Sequence, residues 1–252
     1  MNDPTITRET GCALVTGGSR GIGRAIAVQL AEDGYDVGFC YRKDHEAALE
    51  TAQLVGRAGR RSFHRAVDVT DFSAVSDFAE EAQEKLGQVS VAVAGAGITR
   101  DRSLALMPPD DWSAVLRTNL DGAFHLSRAV LMGMIRRKSG SLILISSVAG
   151  FAGNAGQANY AASKSGMHGL AGSLSKETGR HGVRVNVVAP GFIESDMVAG
   201  LSVKSRLKAE QAIPMGRFGE AHQVAAAVSF LASARAAYIT GSILRVDGGL
   251  TL

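Results

Sequence analysis

Short apolar runs alternate with helical patterns along almost the whole chain, and this order constrains the fold more than any other feature. Apolar runs predict strands at 12–16, 36–41, 62–68, 89–94, 141–146, 183–188 and 242–246. Apolar residues at helical spacing predict helices at 22–33, 44–58, 73–86, 109–137, 157–180 and 220–232. Such alternation is typical of a parallel sheet covered by helices on both faces. We therefore predict an α/β fold over residues 1–252, a single doubly wound domain with a seven-stranded parallel sheet.

A glycine-rich segment joins the first predicted strand to the first predicted helix. Three glycines follow the strand in the spacing Gly-x-x-x-Gly-x-Gly. In this context glycines permit a tight turn and let the backbone approach a pyrophosphate at the helix N-terminus, as in a Rossmann-type domain. The alternative is a turn that needs glycine only for its backbone angles. The candidate dinucleotide-binding residues in this segment are Gly17, Ser19, Arg20, Gly21, Ile22 and Gly23.

Composition argues against several classes of function. The 252 residues include 27 basic and 24 acidic side chains, and the net charge of +3 does not indicate nucleic acid as a partner. No apolar run approaches the ~18 residues of a membrane span. Residues 1–10 contain two acids and no apolar core, which favours a short polar leader over a signal peptide. The six histidines lack metal-ligand spacing, so we predict no metal.

The two cysteines lie at opposite ends of the first two predicted strands. Cys12 opens one strand and Cys40 closes the next. In parallel neighbours they would lie roughly 10 Å or more apart, which is too far for a disulfide. We expect two buried free thiols, in keeping with a cytoplasmic location.

Tyr160 and Lys164 share one face of a predicted helix, and Ser147 precedes the tyrosine by thirteen residues. A free phenol has a pKa of about 10, and a neighbouring ammonium favours the phenolate and lowers that pKa. A serine hydroxyl nearby can bond a carbonyl oxygen while the phenol delivers a proton to it. The alternative for Tyr-x-x-x-Lys alone is a surface pair on a helix.

The candidate residues converge on one edge of the predicted sheet. The glycine segment follows the first strand, Gly95 follows the fourth, Ser147 follows the fifth and Pro190 follows the sixth. The tyrosine and lysine fall in the helix after Ser147. Ligands of such sheets bind beyond the carboxyl ends of the strands, so we expect one shared site there.

These motifs together resemble the short-chain dehydrogenase/reductase family from about residue 11 to residue 252. The matching motifs are Thr16-Gly17-x-x-x-Gly21-Ile22-Gly23, Asn119, Ser147, Tyr160-x-x-x-Lys164 and Pro190-Gly191. Within the family, the stretches 154–160, 187–197 and 237–241 are most similar to the 3-oxoacyl-[acyl-carrier-protein] reductases. The resemblance implies an enzyme of fatty-acid biosynthesis that reduces 3-oxoacyl thioesters with NADPH.

The resemblance also implies a role for each catalytic candidate. Tyr160 would protonate the carbonyl oxygen during hydride transfer from the nicotinamide. Lys164 would lower the pKa of the phenol and bond the nicotinamide ribose, and Ser147 would polarise the substrate carbonyl. Asn119 would belong to a water-linked proton relay ending at the lysine. The alternative for Asn119 is a core amide whose bonds are satisfied locally.

The residues at the end of the second predicted strand bear on the choice between NADPH and NADH. NAD-specific enzymes usually place an acid near the end of that strand, whereas residues 39–43 contain none. Arg42, with Arg20, could pair with a 2′-phosphate, which predicts NADPH; the alternative is two solvated arginines. The resemblance places further cofactor contacts at Asp68, Val69, Pro190, Gly191, Ile193 and Ser195.

The chain departs from the family pattern after the fourth strand. Family members usually carry Asn-Asn-Ala-Gly, and this chain has Ala94-Gly95-Ala96-Gly97. Two amides that would brace the strand end are absent, although the backbone of Gly95 can still line the adenosine side. We hypothesise weaker cofactor binding or lower stability than in a chain with both asparagines.

Further expectations concern partners and the segment over the cleft. Arg136, Arg137, Lys138 and Lys176 form a basic patch that could dock an acidic acyl-carrier protein near the cleft mouth. The alternative is the ordinary preference of cations for a helix C-terminus. The stretch 192–217 lacks a strand and is interpreted as a mobile substrate flap. The resemblance implies a homotetramer.

Two other functions stay open. One is a ketone reductase of the same mechanism in a polyketide, polyester or other pathway. The second, from a different class, is a catalytically weak NADP-binding subunit, which only the altered residues 94–97 favour. The intact tyrosine, lysine and serine argue against that alternative.

Overall fold

The computed structural model describes residues 11–194 and 202–251 and contains a seven-stranded, wholly parallel sheet, as predicted. The strands lie side by side in the order β3-β2-β1-β4-β5-β6-β7. They are β1 (Cys12–Thr16), β2 (Asp36–Tyr41), β3 (Ser62–Ala66), β4 (Val89–Ala94), β5 (Gly140–Ile145), β6 (Val183–Pro190) and β7 (Ile243–Val246). The prediction of a Rossmann-type, doubly wound sheet is therefore confirmed.

Helices connect the strands and cover both faces of the sheet. They are α1 (Gly21–Glu32), α2 (His45–Arg57), α3 (Phe72–Leu86), α4 (Pro109–Leu116), α5 (Gly122–Arg137), α6 (Ala149–Ala152), α7 (Ala158–Thr178), α8 (Val203–Ala212) and α9 (Ala221–Ala232). No helix in the two described ranges is long and apolar enough to cross a membrane.

Two hydrophobic cores lie on opposite faces of the sheet. Phe78 of α3, Leu126 of α5 and Met167 of α7 pack on one face. Leu30 of α1 and Val228 of α9 pack on the other. All residues of β1 and β2 are buried, because helices cover both of their faces. Each fully buried side chain of this size contributes about 2 kcal/mol through the hydrophobic effect.

The structure differs from the predicted elements in three places. The predicted helix 109–137 is interrupted by a π-helical turn at Arg117–Asp121, a feature frequent at functional sites. The single turn α6 was not predicted. Helix α8 lies within the stretch 192–217 and was missed because it buries none of its residues and so lacks an apolar stripe. The flap itself stays a prediction, and residues 195–201 lie outside the described ranges.

The register of the first two strands separates the cysteines. Cys12 lies beside Asp36, whereas Cys40 lies beside Thr16 at the other end of the pair. Both thiols are free and buried, which confirms the prediction. Burial raises the pKa of each to about 12, so both thiols are protonated at neutral pH.

Candidate active site

A cleft of about 900 Å³ opens beyond the carboxyl ends of the central strands. The chain builds outward from β1 through β2 to β3, and then crosses back to place β4 on the other side of β1. The loops after β1 and β4 therefore diverge, and the divergence leaves a crevice between them. This is the edge of the sheet at which the sequence predicts the site.

The glycine-rich segment forms one wall of the cleft. Gly17 and Gly21 have φ values of +74° and +54°, a region that favours glycine. A Cβ atom on Gly23 would lie 2.0 Å from the carbonyl oxygen of Gly17, so α1 packs directly on the turn. A Cβ atom on Gly21 would meet nothing within 4 Å, which leaves the start of α1 open to the cleft.

The start of α1 has the features of an anion site. Its N-cap residue, Arg20, makes no side-chain cap, so its first backbone amides lack that partner. Helix α1 is 12 residues long, and its dipole favours negative charge at this end. Ser19, Arg20 and Ile22 also line the cleft. An open helix start of this kind can bind a phosphate group, and the pyrophosphate contact itself stays a prediction.

An ion pair lies at the far end of the same wall. The Nε atom of Arg42 is 3.4 Å from a carboxylate oxygen of Asp68, and both side chains keep contact with solvent. The backbone amide and the hydroxyl of Thr70 donate to Asp68 at 3.0 and 2.8 Å. These bonds and the arginine charge lower the pKa of Asp68 despite its partial burial. Arg42 is thus held beside the cleft by an exposed pair that an anion can displace.

Tyr160, Ser147 and Lys164 meet at the opposite wall. Ser147, just after β5, hydrogen-bonds the Tyr160 phenol and also accepts from the backbone amide of Ala149 at 3.2 Å. The Lys164 ammonium lies 5.5 Å from the centre of the tyrosine ring. It donates to the carbonyl oxygen of Ile145 at 2.8 Å, and this bond fixes its long side chain at the end of β5.

Burial dominates the pKa values of both titratable groups. It raises the pKa of Tyr160, and the negative charge of Asp101 adds to this, while the hydrogen bond from Ser147 acts in the opposite direction. The same effect lowers the pKa of Lys164 to about 8. The expectation that the ammonium lowers the phenol pKa stays a prediction, and burial is the largest influence on that pKa in this structure. The phenol is therefore protonated at neutral pH.

Asn119 lies on the π-helical turn and is completely buried. Its side-chain oxygen accepts from the backbone amide of Ile98 at 2.8 Å, and its amide group donates to the carbonyl of Ile98 and to Ser163. Ser163 donates in turn to the carbonyl of Tyr160 at 2.7 Å. The local satisfaction foreseen for Asn119 is present, and it links the β4 loop to the start of α7.

Gly97 lies between Asn119 and Lys164. A Cβ atom at Gly97 would lie 3.3 Å from the amide oxygen of Asn119 and 3.5 Å from the Lys164 ammonium. The two side chains therefore face the same small space beside the cleft. The relay stays a prediction.

The end of β4 is braced without the two asparagines of the family pattern. The hydroxyl of Thr16 accepts from the backbone amides of Gly95 and Ala96 at 3.1 and 3.3 Å. A Cβ atom on Gly95 would lie 2.9 Å from the carbonyl oxygen of Thr16, so a larger residue requires the strand ends to separate. Thr16 of β1 therefore supports the end of β4. Weaker cofactor binding stays a hypothesis.

Most of the predicted site residues line this one cleft. Those that do are Gly17, Ser19, Arg20, Gly21, Ile22, Gly23, Arg42, Asp68, Val69, Gly95, Ser147, Tyr160, Lys164, Pro190, Gly191 and Ile193. Asn119 lies behind the cleft wall, and Ser195 lies outside the described residues. Lining residues that the sequence reasoning missed include Tyr41, Lys43, Ala96, Thr99, Arg100 and Ser146. Each of these lies at the end of β2, β4 or β5 or in the segment that follows it, and that position was the available signal.

The predicted basic patch lies at the amino-terminal ends of the strands, opposite the cleft. Arg136, Arg137 and Lys138 close α5, and the Arg137 guanidinium donates to the carbonyl of Val89, the first residue of β4. Lys176 is twelve residues beyond Lys164, which is about 18 Å along α7 and away from the cleft. The expectation of a patch near the cleft mouth of the same chain is wrong, because both helices run antiparallel to the strands.

The described parts of the chain contain no group of three or more histidine, cysteine, aspartate or glutamate side chains that could hold a metal ion. The expectation of a metal-free site stays a prediction.

Comparisons with known proteins agree with this geometry. A family model described as enoyl-(acyl carrier protein) reductase matches residues 17–251. The 3-oxoacyl-[acyl-carrier-protein] reductase FabG of Salmonella typhimurium is 44% identical over 238 residues, which cover 94% of this chain and 96% of that protein. The chain belongs to the short-chain dehydrogenase/reductase family.

Other members of the family align over similar lengths. FabG of Staphylococcus aureus is 44% identical over 241 residues, covering 96% of this chain and 98% of that protein. A crystal structure from Sinorhizobium meliloti, described as that of a short-chain alcohol dehydrogenase, superposes with a TM-score of 0.94 at 35% identity and covers 98% of both chains. This chain is therefore an oxidoreductase of the short-chain dehydrogenase/reductase type.

Proposed function

We propose that this short-chain dehydrogenase/reductase is an NADPH-dependent reductase of 3-oxoacyl thioesters. The observation that carries the proposal is the meeting of Tyr160, Ser147 and Lys164 opposite an open glycine-rich turn in one cleft. The names of the relatives at 44% identity support the substrate class. A 3-oxoacyl-[acyl-carrier-protein] substrate would place the enzyme in fatty-acid biosynthesis.

The residues of the cleft fit a dinucleotide. Gly17 and Gly21 leave room for a pyrophosphate at the start of α1, where a side chain on Gly21 would otherwise project into open space. Asp68 and Val69 would hold the adenine, and Gly95 would line the adenosine side through its backbone. Pro190, Gly191, Ile193 and Ser195 would contact the nicotinamide half, and the Lys164 ammonium would bond its ribose.

The chemistry of the site follows from the protonation states. When bound, the cofactor supplies a hydride to the substrate carbonyl carbon. The Tyr160 phenol, which burial keeps protonated, donates its proton to the carbonyl oxygen, and the Ser147 hydroxyl orients that oxygen by a hydrogen bond. Lys164 stabilises the resulting phenolate by its charge, and the Asn119 region returns a proton to it from solvent.

Preference for NADPH rests on the cations beside the end of β2. Arg20, Arg42 and Lys43 line that part of the cleft, and no acid follows directly from the strand. The guanidinium of Arg42 can exchange Asp68 for a 2′-phosphate, since charge-assisted bonds to phosphate are strong.

The partners proposed for this enzyme follow from its relatives and its surface. The apolar side chains of Phe124, Met132, Ile243 and Leu244 are at least one-third exposed, as at a subunit contact. We propose a cytoplasmic homotetramer, which sedimentation would detect as four times the chain mass of 26.3 kDa. Docking of an acyl-carrier protein at Arg136, Arg137, Lys138 and Lys176 stays a prediction.

A substrate panel tests the proposal. We expect turnover of acetoacetyl thioester and little turnover of a crotonyl thioester. The crotonyl thioester is the control because the description of the matching family model names an enoyl reductase. Activity confined to ketones without a thioester would favour a ketoreductase of another pathway. Binding of NADPH without any turnover would favour the cofactor-binding subunit.

The cofactor is tested by one substitution and a matched control. We expect Arg42→Asp to raise KM for NADPH by about 10- to 100-fold, the worth of one charge-assisted bond, and to leave KM for NADH within about twofold. Arg136→Asp makes the same change of charge at the opposite end of the strands and should alter neither the KM for NADPH nor the KM for NADH. Equal effects of Arg42→Asp on both cofactors would contradict the assignment of Arg42.

A further inference from the structure

His168 lies one helical turn beyond Lys164 on α7 and takes no part in the proposed chemistry. Its Nε2 atom is 2.8 Å from the hydroxyl oxygen of Ser146, the residue before Ser147. Its ring packs against Phe151 of α6 with the centroids 4.5 Å apart. An imidazole with a specific polar partner so close to the site calls for a physical explanation.

The hydrogen bonds around Ser146 define the role of the imidazole. The Ser146 hydroxyl is buried and donates to the carbonyl oxygen of Lys164 at 3.0 Å. A hydroxyl has one hydrogen and a carbonyl can only accept, so His168 is the donor in the second bond, through its Nε2–H. Burial lowers the pKa of His168, which keeps the imidazole neutral at neutral pH, with its hydrogen on that atom.

The turn that carries Ser147 is tied to α7 on this side. The Ser165 hydroxyl donates to the carbonyl of Gly150 at 2.5 Å. A Cβ atom on Gly150 would lie 3.0 Å from both the His168 ring and the carbonyl carbon of Lys164. Helices α6 and α7 are therefore in close contact at Gly150. On the other side, the amide of Ser146 donates to the carbonyl of Val188 in β6 at 2.8 Å.

We propose that His168 is a positioning residue that, through Ser146, fixes the Ser147 hydroxyl relative to Tyr160 and Lys164. This inference rests on the proposed reductase function, because it concerns the efficiency of the same proton transfer. A reacting group displaced by about 1 Å can lose about 100-fold in rate, so a bond that sets the Ser147 turn has a measurable effect. Without it the buried Ser146 hydroxyl loses its donor and the turn gains freedom.

The kinetic test compares His168→Leu with His168→Gln, whose amide can replace the Nε2–H donor. We expect His168→Leu to lower kcat for acetoacetyl thioester by about tenfold or more, with unchanged affinity for NADPH. His168→Gln should recover most of the loss. Ser146→Ala should lower kcat at least as much, because it also removes the hydrogen bond to the Lys164 carbonyl. The double variant with His168→Leu should lose no more than Ser146→Ala alone, because the bond to His168 is already absent.

The matched control is His64→Leu. His64 is also a half-buried imidazole stacked on a phenylalanine, with its centroid 5.4 Å from that of Phe39, but it lies on the edge strand β3. The substitution His64→Leu should leave kcat within about twofold of the wild type. An unchanged kcat in His168→Leu, or an equal loss in His168→Gln, would overturn the proposal.

A second measurement does not require turnover. The pKa of the Tyr160 phenol is read from difference absorbance against Tyr160→Phe, and it should rise in His168→Leu, since a looser Ser147 stabilises the phenolate less. An unchanged phenol pKa would overturn the positioning role. An inactive wild type would instead count against the proposed function, and the titration would still decide the role of His168.

Discussion

At the scale of single residues, burial sets the chemistry of the site. The Tyr160 phenol loses hydration and holds its proton, while the Lys164 ammonium loses hydration and releases its proton more readily, with a pKa of about 8. The two shifts suit reduction of a carbonyl, in which the tyrosine must arrive protonated. Because the pKa of Lys164 is about 8, a modest rise in pH above neutrality removes the charge of the lysine.

The first prediction concerns this pH dependence. The charged form of Lys164 is its acid form, so raising pH through about 8 removes the ammonium, and kcat/KM should fall above that pH. In Lys164→Arg the cation persists, because the pKa of arginine exceeds about 12, and the decline should disappear even though the rate is lower. A decline at the same pH in both proteins would contradict the assignment to Lys164.

Residues separated by a short spacing on one element were the most predictable part of the site. Tyr160 and Lys164 share a face because helical geometry dictates it, and the loop glycines follow from the turn they occupy. The convergence of elements was predictable, but individual side-chain contacts between them were not. Gln157 donates to the carboxylate of Asp101 at 2.7 Å, and the negative charge of Asp101 acts on Tyr160. The sequence contains no pattern that predicts this pairing.

At the scale of elements, the glycines show how closely the backbone approaches itself. Gly23 lies inside α1 against the Gly17 carbonyl, whereas Gly56 near the end of α2 has nothing within 4 Å of a Cβ atom. Replacing glycine with alanine should therefore destabilise the protein at Gly23 and stabilise it at Gly56.

The second prediction uses this contrast. Gly56→Ala should raise the free energy of unfolding by about 0.5–1 kcal/mol, the difference in helix propensity. Gly23→Ala should lower it and abolish tight NADPH binding, because the 2.0 Å approach to Gly17 forces the turn to move. Thermal unfolding and a cofactor titration measure both. A Gly23→Ala protein with unchanged NADPH affinity would contradict the packing of α1 on the turn.

Elements with a strong apolar pattern were predicted within a few residues, and those without one were missed. Strand β5 matches its apolar run because both faces are covered. Helix α8 has no buried face, and the π-helical turn at 117–121 differs from an α-helix only in its hydrogen bonding. Sequence periodicity carries information about neither.

At the scale of the whole molecule, an ion network ties the amino edge of the sheet together. Asp36 at the start of β2 accepts from Arg61 at 2.7 Å and lies 3.0 Å from the Arg60 guanidinium. Arg61 also donates to the carbonyl of Lys85 at the end of α3. Burial alone would raise the pKa of Asp36, but the bonds from Arg61 and the charge of Arg60 outweigh it and lower the pKa.

The third prediction follows from the direction of that shift. A carboxyl with a lowered folded-state pKa contributes stability above its unfolded pKa of about 3.9, and this is lost as pH falls through the folded value. Asp36→Asn should cost about 2 kcal/mol at pH 7, and the difference from wild type should shrink steadily below pH 4. Denaturant unfolding across this range measures it, and a difference that grows with acid would contradict the network.

The fourth prediction tests the central claim, that Tyr160 delivers the proton in a reductase of 3-oxoacyl thioesters. The measurement is NADPH oxidation with acetoacetyl thioester in wild type and Tyr160→Phe, with NADPH affinity measured alongside. We predict turnover by wild type and a loss of about 100- to 10,000-fold in the variant at unchanged affinity. A variant within tenfold of an active wild type, or a wild type that binds NADPH without turnover, would contradict the account.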